Sequence, residues 1–257
     1  RNMKKILLVL AALMTASLIA GGAKGRLVWS DEFNDNRIDT TAWSKVPRGG
    51  SDWNRHMTDF DSCYVLRDGC LVLRGIRNYS LPNDTMPFVT GGVKSAGKKS
   101  FAQGRVEVRA KLGEGIGVWP AIWMLPEKST WPSGGEIDIM EHLNHDTIAY
   151  QTIHTHYTYD LGHRKDPRSG FTAPIINNEF NVYAVDFRRD SLTFFINDEA
   201  IGTYPRIAAL EEQQQYPFGV EPFYIILSMQ IEGAWVGKAD IRDLPVEMLI
   251  DWVRVYE

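Results

Sequence analysis

Cysteine is scarce in this 257-residue chain. Cys63 and Cys70 are the whole complement, too few to staple a disulfide-dependent fold. They flank Asp68-Gly69 in CYVLRDGCLVLRG. If that dipeptide forms a two-residue hairpin turn, Arg67 faces Cys70 and Cys63 faces Arg74, leaving the sulfurs too far apart to join. Both are therefore read as small buried apolar residues. Long apolar runs are equally rare. Ile6–Ala20, preceded by Lys4 and Lys5 and followed by Gly21 and Gly22, falls short of the roughly 20 residues that span a bilayer. It reads as a secretory leader, residues 1–22, preceding one domain over 23–257 and implying a periplasmic or secreted product. No cysteine near that junction offers a lipid attachment point. Positive charge is also short: the net charge is −4, falling to −7 without Arg1, Lys4 and Lys5. Nucleic acid is therefore not an expected partner. Helical periodicity is nearly missing, with Arg206–Gln215 the one short helical segment.

Aromatic residues are abundant, with 8 Trp, 10 Tyr and 11 Phe, and chain-reversing residues accompany them, with 22 Gly and 12 Pro. β-Branched and aromatic segments alternate with turn residues, the pattern of short strands. In Gly104–Leu112, Val106, Val108, Ala110 and Leu112 take one face and Arg105, Glu107, Arg109 and Lys111 the other, as in a half-solvated antiparallel strand. Asn181–Arg188, Ser191–Asn197, Phe223–Ile231 and Met248–Tyr256 read likewise, with turns near Asp190 and Asn197-Asp198. A dozen or so short strands in one domain bury their apolar faces as two packed sheets, an all-β sandwich with a groove on its concave side.

The densest chemistry lies in GGEIDIMEH, where Glu136, Asp138 and Glu141 fall within six residues. Alternation puts Glu136 and Asp138 on one face, with Ile137 and Ile139 in the core behind them. It would also send Glu141 into that core, where an unpaired carboxylate is costly. A β-bulge at Ile139-Met140 restores Glu141 to the face of the other two. Two carboxyls about 5 to 5.5 Å apart suit a retaining glycosidase, one attacking the anomeric carbon and one protonating the leaving oxygen. Asp138 between them would hold a proton and separate their pKa values.

Sugar rings present flat C–H faces that stack on aromatic rings. Trp119, Trp123, Trp131 and Trp235 are the candidate platforms; Trp119 and Trp123 share a face if Pro120 leaves the strand unbroken. Five of six histidines, His142, His145, His154, His156 and His163, lie within 22 residues. Zinc is the rival chemistry they suggest, but HLNH and HTH form no closed ligand pattern. His142 and His154 are instead read as groove residues bonding sugar hydroxyls. A non-catalytic carbohydrate-binding protein would keep Trp131 and Trp235 but need neither acid.

LVWSDEF, GRVEVRAKL, GVWPAIWMLPE, WPSGGEIDIMEH, NVYAVDF and DWVRVYE, in this order from Leu27 to Glu257, resemble glycoside hydrolase family 16. The resemblance implies a β-jelly-roll, cleavage within chains with retention, Glu136 as nucleophile, Asp138 as assisting acid and Glu141 as general acid/base. It implies no catalytic cofactor, but a structural calcium in some members, where Glu32 and Asp251 would match. The expected partner is an oligo- or polysaccharide, met by a monomer. Ser228–Trp235 and the stretch before Cys63 depart from the form usual in β-1,3-glucanases of that family. Gln230 and Asn54-Arg55-His56 add more hydrogen-bonding capacity than a plain glucan requires, a variation that resembles members acting on galactose-containing chains, including mucin-type O-glycans and poly-lactosamine. A β-1,3 or mixed-linkage glucanase is the alternative.

Overall fold

A computed structural model describes residues 24–79 and 81–257. The leader expected at residues 1–22 lies outside the described residues. Two antiparallel sheets face one another, giving the expected β-jelly-roll sandwich. The outer sheet has nine strands. Its main path runs Glu199–Pro205, Ser191–Ile196, Asn181–Phe187, Gly104–Lys111, Val246–Tyr256, Cys70–Arg77 and Tyr64–Arg67. The second sheet has eight strands and its path is Gly170–Pro174, Ile148–His154, Glu136–Glu141, Val118–Pro126, Phe223–Ile231, Gly92–Lys94 and Ser44–Lys45. Val106, Val108 and Ala110 of the one pack with Ile122, Met124, Ile137 and Ile139 of the other in a continuous core.

Local sequence accounts for the joints. Asp68 and Gly69 both take positive φ, 55° and 72°, and Asn197 and Asp198 do the same at 51° and 64°. Two consecutive left-handed residues match the right-handed twist of the strands they join. The first turn pairs Arg67 with Cys70 and Tyr64 with Leu73. Both cysteines are buried and free. The helical segment shrinks to a 3₁₀ turn over Ala208–Gln213, whose N-cap residue Ile207 supplies no side-chain acceptor. Among the described residues no helix is long and apolar enough to cross a membrane.

Two expectations about charge change on folding. The polar face of Gly104–Lys111 is not solvated at Glu107, which is fully buried. Glu107 instead accepts from Arg105 at 2.6 Å and pairs with Lys24 at 2.9 Å. The calcium expected at Glu32 and Asp251 also meets a different arrangement. Arg254 grips both oxygens of Glu32, at 3.0 and 2.8 Å, and Arg109 donates to Asp251. A calcium site needs six to eight free oxygen ligands. As placed, these two carboxylates form ion pairs and do not fit that cation.

Candidate active site

The acids stand on the central part of the eight-stranded sheet because the strand carrying them is bulged. Asp138 lies opposite Trp123, Met140 opposite Ile122 and Glu141 opposite Ala121. Two residues, Ile139 and Met140, thus oppose the single Ile122. Both of their side chains are buried in the core, and Glu141 returns to the side of Glu136 and Asp138. All three carboxyls line one groove of about 370 Å³. Gly135, just before the strand, has φ +89°, and a Cβ there would come within 2.7 Å of the Phe218 ring. The close packing of that ring thus requires glycine at the strand entrance.

The neighbouring strand Val118–Pro126 supplies the groove floor. It runs in register with Phe223–Ile231 along its whole length, so Pro120 does not break it. Trp119, Ala121, Trp123 and Leu125 face the groove while Ile122 and Met124 face the core. Trp119 Nε1 donates to Glu141 Oε1 at 2.9 Å. Trp123 Nε1 donates to Ser228 Oγ at 3.1 Å, and Gln230 Nε2 donates to the same oxygen at 2.8 Å. That second bond fixes the Gln230 amide, and its Oε1 is left buried without a partner. At one end Trp131 meets Tyr159 edge to face at 4.4 Å. Trp235 is about half exposed, with its ring centroid 5.9 Å from Trp119 and 5.2 Å from Tyr150.

Electrostatically the trio is uncompensated. Burial, and next the charge of Asp138, push both Glu136 and Glu141 well above the ordinary carboxyl range. Burial raises Asp138 to about 7. The nearest cationic candidate is His154, whose Nε2 lies 3.3 Å from Asp138 Oδ2 and 3.9 Å from Glu136 Oε1. Three acids so placed cannot all be ionised near neutrality, so protons are shared among them.

Some expected residues lie elsewhere. His142 is fully buried, its Nε2 2.7 Å from the carbonyl of Asp146. The bulge that turns Glu141 to the groove turns the next residue away from it, so His142 does not line the groove. Asn54 and Arg55 do not line the groove; Arg55 is exposed and pairs with Asp52 at 2.5 Å. His56 is also buried, against the Phe88 ring. The short 3₁₀ turn Asp52–Asn54 instead presents Trp53 to the groove beside Ser51, with the Trp53 ring edge-on to Trp123 at 4.8 Å. The signal in the sequence for this placement is the aromatic residue beside the polar ones.

The histidines do not gather into a zinc site. His156 pairs with Asp160 at 2.7 Å, His163 stacks on Tyr157, and His145 lies beside Glu114 at 3.6 Å. Among the described residues the one group close enough for a shared metal is Glu136, Asp138 and His154, within 4.8 Å.

Comparison with known proteins places this geometry. A keratan-sulfate endo-1,4-β-galactosidase from Sphingobacterium multivorum is 40% identical over 90% of the chain, which spans 55% of that longer enzyme. The laminarinase of Rhodothermus marinus superposes with a TM-score of 0.81 at 29% identity, covering 91% of this chain and 97% of that one. A structure from work on endo-acting O-glycanases, by which prominent members of the human gut microbiota initiate mucin breakdown, superposes with a TM-score of 0.78 at 30% identity. It covers 90% of this chain and 99% of its own. The sequence also matches the model of glycosyl hydrolases family 16 over residues 71–254. With the sandwich, the bulged acid strand and these matches in agreement, the chain belongs to glycosyl hydrolase family 16.

Proposed function

We propose that the chain is a retaining endo-β-glycosidase that cleaves internal bonds of galactose-containing glycans of the poly-lactosamine or mucin O-glycan type. The observation that carries the chemistry is the bulge, which gathers Glu136, Asp138 and Glu141 in one Trp-lined groove. Glu136 is the nucleophile and Glu141 the general acid/base. Trp119 holds one oxygen of Glu141, leaving the other to carry the proton. Desolvation and the neighbouring negative charges keep that proton in place near neutrality, as an acid catalyst requires. As the glycosidic oxygen leaves, Glu141 protonates it while ionised Glu136 attacks the anomeric carbon. Asp138 takes up the proton it shares with Glu136, so the attacking carboxylate can be charged. Once Glu136 is esterified its charge is gone, the pKa of Glu141 falls, and Glu141 accepts a proton from the incoming water.

Two observations support the substrate. Gln230 lines the groove and carries a buried acceptor, Oε1, without a partner, which a sugar hydroxyl reaching it would satisfy. The similarity to the keratan-sulfate galactosidase and to the O-glycanase structure supports the same class. The likeness to the laminarinase favours β-glucanase activity as the second reading. Incubation with poly-lactosamine, mucin O-glycans, laminarin and lichenan, followed by product mass and linkage analysis, separates the two. Galactose-terminated products from the first pair are expected. Products from the glucans alone overturn the substrate assignment, and binding with no new reducing ends overturns the catalytic one.

A further inference from the structure

We propose that a second cavity beside the acids, lined by Arg164, Lys165 and Arg168, receives a sulfate ester carried by the substrate chain. The inference rests on the poly-lactosamine reading above and names the form of that glycan the enzyme is built for.

The cavity holds about 350 Å³ and is tied to the catalytic groove through His154, which lines it and lies 3.3 Å from Asp138. Thr152 and His154 line it from the strand Ile148–His154. Thr152 is paired across the ladder with Asp138 on one side and Gly170 on the other. The cavity therefore opens one strand's width from the acids, next to His154, Trp131 and Tyr159, where a chain crossing the sheet would continue. A substituent on a sugar flanking the cleaved bond can reach it.

Its chemistry is that of an oxyanion site. Three cations converge on it in a chain whose net charge is negative. Among the described residues none of the three has a carboxylate within 4.0 Å. The nearby Asp160 is already engaged by His156 at 2.7 Å. Each guanidinium donates through Nε, Arg164 to the carbonyl of Thr158 at 3.3 Å and Arg168 to that of Gly170 at 2.7 Å, and Arg168 also lies over the Phe171 ring at 5.1 Å. Their terminal nitrogens remain for a ligand, and a guanidinium fork matches the paired oxygens of a sulfate. Lining the same cavity is Ser169, nearly fully buried.

The loop that carries these groups is braced. Thr155 and Thr158 close a reciprocal capping box on the single π-helical turn His156–Asp160. Tyr157 donates to the carbonyl of Asp166 at 2.9 Å, and the Ser169 amide donates to that of Arg164 at 3.1 Å. Unpaired cations held on a fixed frame repel one another, a cost that an anionic ligand removes.

The experiment measures kcat/KM on two matched poly-lactosamine chains, one carrying 6-O-sulfate esters and one without, and on a sialylated chain of the same backbone. The unaltered protein is expected to prefer the sulfated chain by about tenfold or more, the scale of one well-placed charge-assisted contact. Raising the salt concentration should shrink the preference. In the triple variant Arg164→Gln, Lys165→Gln, Arg168→Gln the sulfated-to-unsulfated ratio should fall toward one. The ratio cancels any general loss of folded enzyme. Lys165→Glu, at a side chain that makes no ion pair, should lower the same ratio with less risk to the loop. Equal rates on the two chains, or a ratio indifferent to these substitutions, overturn the sulfate site and leave the poly-lactosamine reading standing. Preference for the sialylated chain reassigns the cavity to a carboxylate and overturns the sulfate. Cleavage of glucans only overturns both readings together.

Discussion

A lone buried acid and a buried trio sit on opposite sheets of this sandwich and are treated in opposite ways. Glu107, in the outer sheet, is fully buried and answered by Arg105 and Lys24 at hydrogen-bonding distance. Glu136, Asp138 and Glu141, in the groove sheet, have one imidazole and an indole N–H between them. A buried carboxylate kept for structure is given cations, because an unpaired buried charge is costly. Acids kept for chemistry are denied them, which lifts their pKa values into a useful range. The groove thus stores an electrostatic cost that the outer sheet avoids, and substitutions on the two sides should have opposite signatures.

The largest expected effect is on turnover. Glu141→Gln should lower kcat by about 10²–10⁴-fold, the usual worth of a general acid. Glu136→Gln should fall at least as far in a reducing-end assay, while thermal unfolding shows a melting temperature equal to or above the parent's. A marked loss of stability in both variants would contradict the uncompensated state of the groove. Deleting Met140 should abolish activity and destabilise the fold together, because Glu141 would then turn toward the core. Full activity after that deletion would show that the extra residue does not set the geometry.

On the other sheet, Glu107→Gln should cost roughly 3 kcal/mol in denaturant unfolding, since it leaves Arg105 and Lys24 with only the half-exposed Asp198, yet leave kcat near its parent value. Subtler effects come from pH. The folded state binds the Asp138 proton more tightly than the unfolded chain does, with a folded pKa of about 7 against 3.8. That stabilisation is complete below about 3.8 and drains away as pH rises to about 7. Asp138→Asn should flatten the corresponding fall in stability. Glu141 is raised by burial and then by the charge of Asp138, and lowered by its bond from Trp119. Asp138→Asn should therefore move the alkaline limb of the kcat/KM profile down, and Trp119→Phe should move it up. Shifts in the same direction would refute the assignment of Glu141 as the acid.

Features that depend on local alternation were legible from residues alone. The strand Phe223–Ile231 has the expected bounds, and the bulge could be placed because Glu141 would otherwise be buried without a partner. The sharing of one face by Trp119 and Trp123 followed from the same period. Features that depend on loops were not. His142 follows the bulge, and the reversal that brings Glu141 to the groove sends the histidine into the interior. In the turn before His56 the aromatic residue faces the groove and the polar ones do not, a choice made by packing against Trp123. The basic cavity was hidden for a different reason. The overall acidic charge argued against anions, and only folding brings Arg164, Lys165 and Arg168 beside Thr152.

The two unbridged thiols carry a last consequence. Cys63 is wholly enclosed and burial pushes its pKa to about 12, so it is neither accessible nor nucleophilic while the sandwich is closed. Folding therefore needs no oxidant, and reductant in a refolding buffer should not lower the yield. A thiol-reactive dye becomes a gauge of breathing: it labels Cys63 only when the barrier of strands around it parts, at a rate set by how often that happens.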